Sequence, residues 1–188
     1  NAHPLLRLVG HLLFTAQVES GKFPLDARDI ELEAIITASI ETARPGADNA
    51  GIEVLNVLPD GPVMVHGDST RLGQAVDNLV SNALKFTPRG GKVIVELSTA
   101  GSNAVITVRD TGMGIPAEEL DMLFSRFFRA TTATRNAVPG VGLGLTITKA
   151  IITAHGGAMG VSSEEGVGTE FSVTLPLSRV AAEVQPSV

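Results

Sequence analysis

Residues Arg71 to Phe86, RLGQAVDNLVSNALKF, hold the most chemically suggestive spacing in this sequence. At about 100° per residue along a helix, Asn78, Asn82 and Lys85 recur at i, i+4 and i+7 and form one stripe, with Arg71 and Gln74 on the same side. A polar stripe is ordinarily a solvated helix face. The choice of residue argues for more, because Asn costs helix stability that Glu, Lys or Gln would not, and here it recurs mid-helix. A neutral amide oxygen can ligate a hard cation such as Mg²⁺ without adding negative charge beside a polyphosphate, and an ammonium group can then meet the phosphates. The stripe suits a metal–nucleotide complex.

Two further stretches carry compatible chemistry. In DTGMGIP, residues 110–116, an acid closes a strand pattern and two glycines follow. That is also what a tight turn requires. A buried carboxylate, however, is an acceptor-only group that can hold the exocyclic amine of adenine while rejecting guanine, which offers a carbonyl there. Gly112 and Gly114 would let the backbone approach the base. In GVGLGL, residues 140–145, glycines open a helix, and a glycine-rich helix N-terminus is a natural phosphate cradle. It follows no strand and lies in no βαβ unit, so it is not read as a dinucleotide-binding turn. Between these stretches, Phe124, Phe127 and Phe128 gather three of the seven Phe, for which core packing is the default explanation. Residues 129–139 are short of large apolar side chains and read as a mobile loop anchored by those aromatics. A last glycine turn, GVGT, occupies 166–169.

The elements that would position these groups follow from periodicity and punctuation. Leu72, Ala75, Val76, Leu79, Ala83 and Phe86 form the apolar side of the central helix, with Asp68 as N-cap and Pro88 and Gly90–Gly91 ending it. An earlier helix runs from Asp29 through Leu32, Ile35, Ile36 and Ile40 to a break at Pro45–Gly46. Strands are predicted at 52–57 and 63–66, joined by a turn at Pro59–Gly61, at 92–98 and 104–110 around an AGSN turn, and at 158–162 and 169–175. A short helical region covers 118–129, and a helix covers 144–154, stopped by Gly156–Gly157. Helices and antiparallel strands in mixed order, without a βαβ repeat, predict an α+β fold: a two-layer α/β sandwich on a mixed, mainly antiparallel sheet.

Composition narrows the function classes. With 188 residues and 44% hydrophobic content the chain can hold one ordinary domain and an appendage. A net charge of −6 gives no electrostatic footprint for nucleic acid or an anionic membrane. The absence of Cys removes disulfides, thiolate zinc sites and Cys nucleophiles. No apolar run is long enough to span a bilayer. At the start, Leu5, Leu8, Val9, Leu12 and Ala16 keep a helical or coiled-coil period, followed by Gly21 and an extended linker at KFPLD, 22–26. Pairing with another helix and packing on its own domain are both open to that segment.

The ordered set Asn78, Asn82, Lys85 and Phe86; Asp110, Gly112 and Gly114; Phe124, Phe127 and Phe128; Gly140, Gly142 and Gly144; and Gly166, Gly168 and Thr169 resembles the N, G1, F, G2 and G3 boxes of two-component sensor histidine kinases. These belong to the GHKL superfamily of Bergerat-fold ATPases. One box alone would carry little weight, and five in order carry much. The resemblance covers about residues 30–177, and the opening residues resemble the end of the family's second dimerisation helix. It implies a division into 1–28 (helix end and linker), 29–178 (catalytic ATP-binding domain) and 179–188 (flexible tail).

The resemblance further implies ATP and Mg²⁺ as ligands. Asn82 would bind the metal, Asn78 and Lys85 would lie at the phosphates, and Phe86 would line the nucleotide pocket. Asp110 would bind the adenine amine, with Gly112 and Gly114 beside it and Thr169 acting through water. Arg129 would be a lid residue reaching the γ-phosphate, with Arg135 a second candidate, and Asn82, Lys85 and Arg129 would form the catalytic set. Gly140, Gly142, Leu143 and Gly144 would hinge the lid and contact phosphate through the backbone. Implied partners are a phosphoacceptor His on a dimerisation domain, upstream or in trans, and a response regulator. A homodimeric parent protein is implied, with this segment cytoplasmic, whether in a soluble protein or as the cytoplasmic portion of a membrane-anchored sensor, and with no nucleic acid and no membrane contact by this segment. The chain departs from the family in two places. None of its four His is followed by the acid and later Pro of a phosphoacceptor, and Ser81 stands where an acid is common. The alternatives are a serine kinase or ATPase of the same superfamily, or a nucleotide-gated interaction module without phosphotransfer.

Overall fold

In the computed structural model, residues 24–135 and 142–178 are described. Seven strands and four helices follow in the order β1 (Arg28–Glu31), α1 (Leu32–Ala50), β2 (Glu53–Val57), β3 (Met64–Gly67), α2 (Ser69–Phe86), β4 (Lys92–Ala100), β5 (Asn103–Asp110), α3 (Thr131–Arg135), α4 (Gly144–Ala154), β6 (Ala158–Glu164) and β7 (Gly168–Pro176), with a 3₁₀ segment at Ala117–Met122 before α3. Five strands form a mixed sheet in the order β2-β4-β5-β7-β6, in which β2 and β4 are parallel and every other pair antiparallel. β1 and β3 form a separate antiparallel ribbon.

Alternation along the strands selects which face the helices cover. On β4, β5 and β7, Val93, Val95, Leu97, Ala104, Ile106, Val108, Phe171, Val173 and Leu175 are all buried, and their neighbours in sequence are not. Against that face lie Leu32, Ile36 and Ile40 of α1, Leu72, Val76, Leu79 and Ala83 of α2, and Ile147, Ile151 and Ile152 of α4. Each large side chain so buried is worth roughly 1.5–3 kcal/mol, which is what holds helices onto a sheet whose other face meets water. The two-layer α/β sandwich is thus observed.

The first helix differs from expectation at both ends. Residues Arg28–Glu31 pair with β3 instead of opening α1, and Asp29 is tied to Ser178 and His66 of the neighbouring chain segments. Helical periodicity from Leu32 onward says nothing about that pairing. Nor does Pro45 end the helix. Its ring is exposed, so the amide it lacks and the carbonyl it displaces face water, and α1 continues far enough to bury Ala47. Gly51, at φ 68°, then caps it in the left-handed conformation.

β2 and β3 are consecutive yet do not pair. Two prolines in the connection give it no hairpin turn, and the amide of Leu32 and the side chain of Glu33 instead take the two sides of Val63 at 3.1 and 2.8 Å, drawing β3 to β1. The later strands run slightly longer than predicted, β6 reaching Glu164. Helix in the 118–129 region is confined to the 3₁₀ segment. Part of the expected loop is ordered: Thr131–Arg135 is helical, with Ala130, Thr132 and Ala133 buried beside Leu123 and Thr132 Oγ1 donating to Gly114 O at 3.0 Å.

Candidate functional site

Register across the sheet isolates one unusual row. On the helix-covered face, Val95, Val108, Phe171 and Val161 form one cross-strand row, and Leu97, Ile106, Val173 and Met159 form the next, all apolar. The row at the opposite end reads Val93, Asp110, Thr169 and Ser163. An acid and two hydroxyls there replace core side chains. Asp110 is only 6% exposed and Thr169 only 7%. Such groups cost stability unless they are hydrogen-bonded.

Part of that bonding is internal. Asp110 Oδ1 accepts from the amides of Gly112 at 2.8 Å and Thr169 at 3.3 Å, and no described residue bonds Oδ2. Burial pushes the Asp110 carboxyl above the usual carboxylate range, against the pull of those two amides. Close backbone contact explains the glycines around it. A Cβ on Gly112 would lie 2.4 Å from Phe86 O, one on Gly114 2.0 Å from Glu164 O, and one on Gly168 2.0 Å from Asp110 O. The loop after β5 therefore packs against the end of α2, where the Met113 amide donates to Phe86 O, and against the β6–β7 turn, where the Gly166 amide donates to Met113 O.

α2 brings the polar stripe up to this row. Asp68 caps its first turn, its Oδ1 accepting from the Arg71 amide at 3.1 Å, and the apolar side predicted from sequence is buried apart from Phe86, which is partly buried beside Leu123 and Ala130. Asn82 is half-buried, and no described residue hydrogen-bonds its amide. One turn on, the Lys85 ammonium is held below the usual lysine range by burial and by the charge of Arg129. Positive charge from both side chains therefore acts near a neutral amide that no described residue uses, an environment that favours an anion.

Asn78 behaves differently from the phosphate contact expected of it. Its Nδ2 donates to Gly144 O at 2.6 Å and to Thr148 Oγ1 at 2.9 Å, so its donors are occupied in fixing α4 against α2. Gly144 gives that amide its close approach, since a Cβ would come within 2.9 Å of it and push the Asn78 side chain aside. Gly142, at φ 75°, packs on the carbonyl of Phe128, while Leu143 is buried just before the helix begins. The aromatic group divides: Phe128 joins the small cluster with Leu123, Phe124 lies under Lys149 Nζ at 4.8 Å from its ring centre, and Phe127 is exposed with φ 62°. Gly140 and the side chain of Arg135 lie outside the described residues, as do 1–23 and 179–188 with the expected helix end and tail.

Residues 67–179 match the family described as Histidine kinase-, DNA gyrase B-, and HSP90-like ATPase. The chain belongs to this ATPase family. Among its relatives, Histidine protein kinase DivJ of Caulobacter vibrioides is 39% identical over 173 residues, covering 92% of this chain and 29% of DivJ. Sensor-like histidine kinase SenX3 of Mycobacterium tuberculosis is 36% identical over 175 residues, 93% of this chain and 42% of SenX3. The chain thus spans less than half the length of either. Among solved structures, the mycobacterial sensor histidine kinase MprB superposes with a TM-score of 0.73 at 35% identity, over 80% of this chain and 98% of that one. Full-length ShkA in complex with AMPPNP gives 0.80 at 31% identity, over 93% of this chain and 36% of ShkA.

Two features of this candidate site went unread in the sequence. Ser163 completes the polar row but lies beyond the predicted end of β6; strand parity with Thr169 across the intervening turn is the signal that finds it. Thr148, the second partner of Asn78, sits one turn inside α4, where a buried Thr in a helix of Ile and Leu is the corresponding signal.

Proposed function

We propose that this chain is the catalytic ATP-binding part of a sensor histidine kinase, with residues 29–178 as the catalytic domain and 1–28 as the end of a dimerisation helix and its linker. The domain transfers the γ-phosphoryl group of ATP to a His carried outside this chain, for passage to a response regulator, within a homodimeric cytoplasmic assembly. The observation that carries this reading is that Lys85, which feels the charge of Arg129, and the open amide of Asn82 lie in the last turns of α2, whose end at Phe86 packs on the loop that follows the buried acid Asp110. A ligand that rewards both ends has a polyphosphate at one and an amine-bearing base at the other.

The residues present fit Mg²⁺ as well. No group of three or more His, Cys, Asp or Glu among the described residues could hold a metal by itself, so the ion would be shared between Asn82 and the phosphates. When bound, it neutralises charge developing on the phosphoryl oxygens. Lys85 and Arg129 hold the triphosphate, Asp110 holds the base and excludes guanine, and the backbone around Gly142 and Gly144 borders the phosphates. In the transfer, an imidazole nitrogen of the acceptor forms a bond to the γ-phosphorus as the bond to the β–γ bridging oxygen breaks and ADP leaves. The imidazole proton passes to a base on the acceptor's side, since Ser81 offers no carboxylate. Neither described His is a plausible acceptor: His155 receives the Asp68 amide at Nε2 and meets Ile151 O at Nδ1, and His66 Nδ1 faces Asp29.

The test is to mix the chain with radiolabelled Mg·ATP, alone and then with a separately made dimerisation segment carrying an acceptor His. Acid-labile, base-stable label appearing only on the added segment is the expected result. Binding of ATP with no label on any His-bearing partner would replace the kinase reading by a nucleotide-gated clamp. Asn82→Ala should abolish the Mg²⁺-dependent part of ATP binding with the fold intact, and unchanged binding would remove Asn82 from the site.

A further inference from the structure

We infer that Ser163 is a specificity-determining positioning residue for the base, setting the hydroxyl of Thr169 so that the row Asp110–Thr169 presents only acceptors to it. The inference rests on Asp110 as base reader and adds a third member to its row.

The hydroxyl of Ser163 stands at the centre of three contacts. The Ile115 amide lies 2.9 Å from Ser163 Oγ, Gly168 O lies 2.9 Å away, and Thr169 Oγ1 lies 2.8 Å away. A hydroxyl has one proton and two lone pairs. Gly168 O can only accept, so the Ser163 proton goes to it. The Ile115 amide can only donate, so it takes one lone pair. The remaining contact must then run from Thr169 to Ser163, because the reverse would need a second proton on Ser163. This is the one assignment that satisfies all three contacts, and it fixes the Thr169 rotor: its proton points at β6 and its lone pairs are left for another donor.

The consequence is chemical. Ionised Asp110 accepts, and Thr169 held in this way accepts too. A base edge bearing an amino group, directly or through a bridging water that donates to Thr169, meets both, whereas an edge bearing a carbonyl meets lone pairs on each side. Ser163 also joins the loop after β5, through Ile115, to the β6–β7 turn, through Gly168, so the same hydroxyl holds the two glycine turns that flank the row.

The test is calorimetric. Affinities of the whole chain for Mg·ATP, for Mg·ITP, which carries a carbonyl in place of the amine, and for tripolyphosphate are compared in the wild type and in Ser163→Ala, Ser163→Thr and Asp110→Asn. Ser163→Ala should lower the ATP-over-ITP ratio by about 5- to 10-fold and leave tripolyphosphate affinity within about twofold, the loss of one hydrogen-bond constraint in a buried network. Ser163→Thr keeps the hydroxyl and should restore the ratio. If Ser163→Ala does not fold, Ser163→Cys, with similar volume and a weak donor, reads the same ratio. A ratio unchanged in these hydroxyl-free variants, with Asp110→Asn still collapsing it, overturns the role of Ser163 alone. A wild type that does not distinguish ATP from ITP overturns the base-reader assignment and this inference together.

Discussion

Asp110 and Lys85 are each displaced toward the neutral form, the acid by a raised value and the amine by a lowered one. Burial raises the Asp110 carboxyl, so it takes up a proton at a higher pH than an exposed Asp. Only the ionised form accepts through both oxygens. ATP affinity should therefore fall on acidification from a pH above the ordinary carboxylate range, and Asp110→Asn should be weaker throughout and lose that dependence. Binding titrations from pH 7.5 down to pH 5 check it, and a mutant that keeps the wild-type slope assigns the titration elsewhere. For stability the sign follows from the raised value: the protonated acid favours the fold below its unfolded value, and that contribution is lost as pH rises through the folded one. The Lys85 ammonium is likewise disfavoured by burial, and further by the charge of Arg129, so its value moves down where that of Asp110 moves up. A triphosphate between the two cations removes that repulsion, so Lys85→Met should weaken Mg·ATP by about 10- to 100-fold, the loss of one charge-assisted contact, with little change in melting temperature. Equal affinity in the mutant would exclude Lys85 from the phosphate end. The residue types themselves were legible from spacing alone, but which neighbour Asn78 chooses was not. Its stripe position is shared with Asn82, and only the packing of α4, 66 residues downstream, distinguishes a helix tie from an open amide.

At the scale of elements, the site depends on turns that admit no side chain. Gly114, at φ 65°, leaves 2.0 Å between an added Cβ and Glu164 O, so Gly114→Ala combines a disfavoured backbone with a clash against main chain. A cost of about 3 kcal/mol or more is expected, together with loss of ATP binding. Chemical denaturation checks it against Gly61→Ala, where nothing lies within 4 Å of the added carbon and the cost should be near zero. Equal effects at the two positions would contradict the packed turn. Asn78→Ala removes both ties between α2 and α4, for an expected loss of about 1–3 kcal/mol. The central helix, its cap, α4 and the β4–β5 hairpin could be read from sequence because local period and punctuation decide them. The β1–β3 ribbon, the survival of α1 through Pro45 and the helix α3 could not, because each is decided by a distant partner or by solvent on one face.

For the whole molecule, the arrangement of layers predicts how binding and folding are linked. One continuous core joins α1, α2 and α4 to the buried face of the five-stranded sheet, and the polar row lies at its end between β5, β7 and β6. A ligand held by that row and by α2 bridges both layers, so it binds the folded state and has no counterpart site in the unfolded chain. At about 100 times its dissociation constant such a ligand adds roughly 2.7 kcal/mol. For a domain of this size each kcal/mol moves the melting temperature by roughly 2–4 °C, so Mg·ATP should raise it by about 5–10 °C. Leu79→Ala, on the buried apolar side of α2, should lower the melting temperature by removing core, a loss of about 2–5 kcal/mol, and leave the ATP-induced rise intact. Asp110→Asn should do the reverse, melting near the wild-type temperature with most of the rise gone at the same ATP concentration. Thermal melts of the three proteins with and without Mg·ATP separate core from site, and a full rise in Asp110→Asn would place the stabilising contact somewhere other than the row.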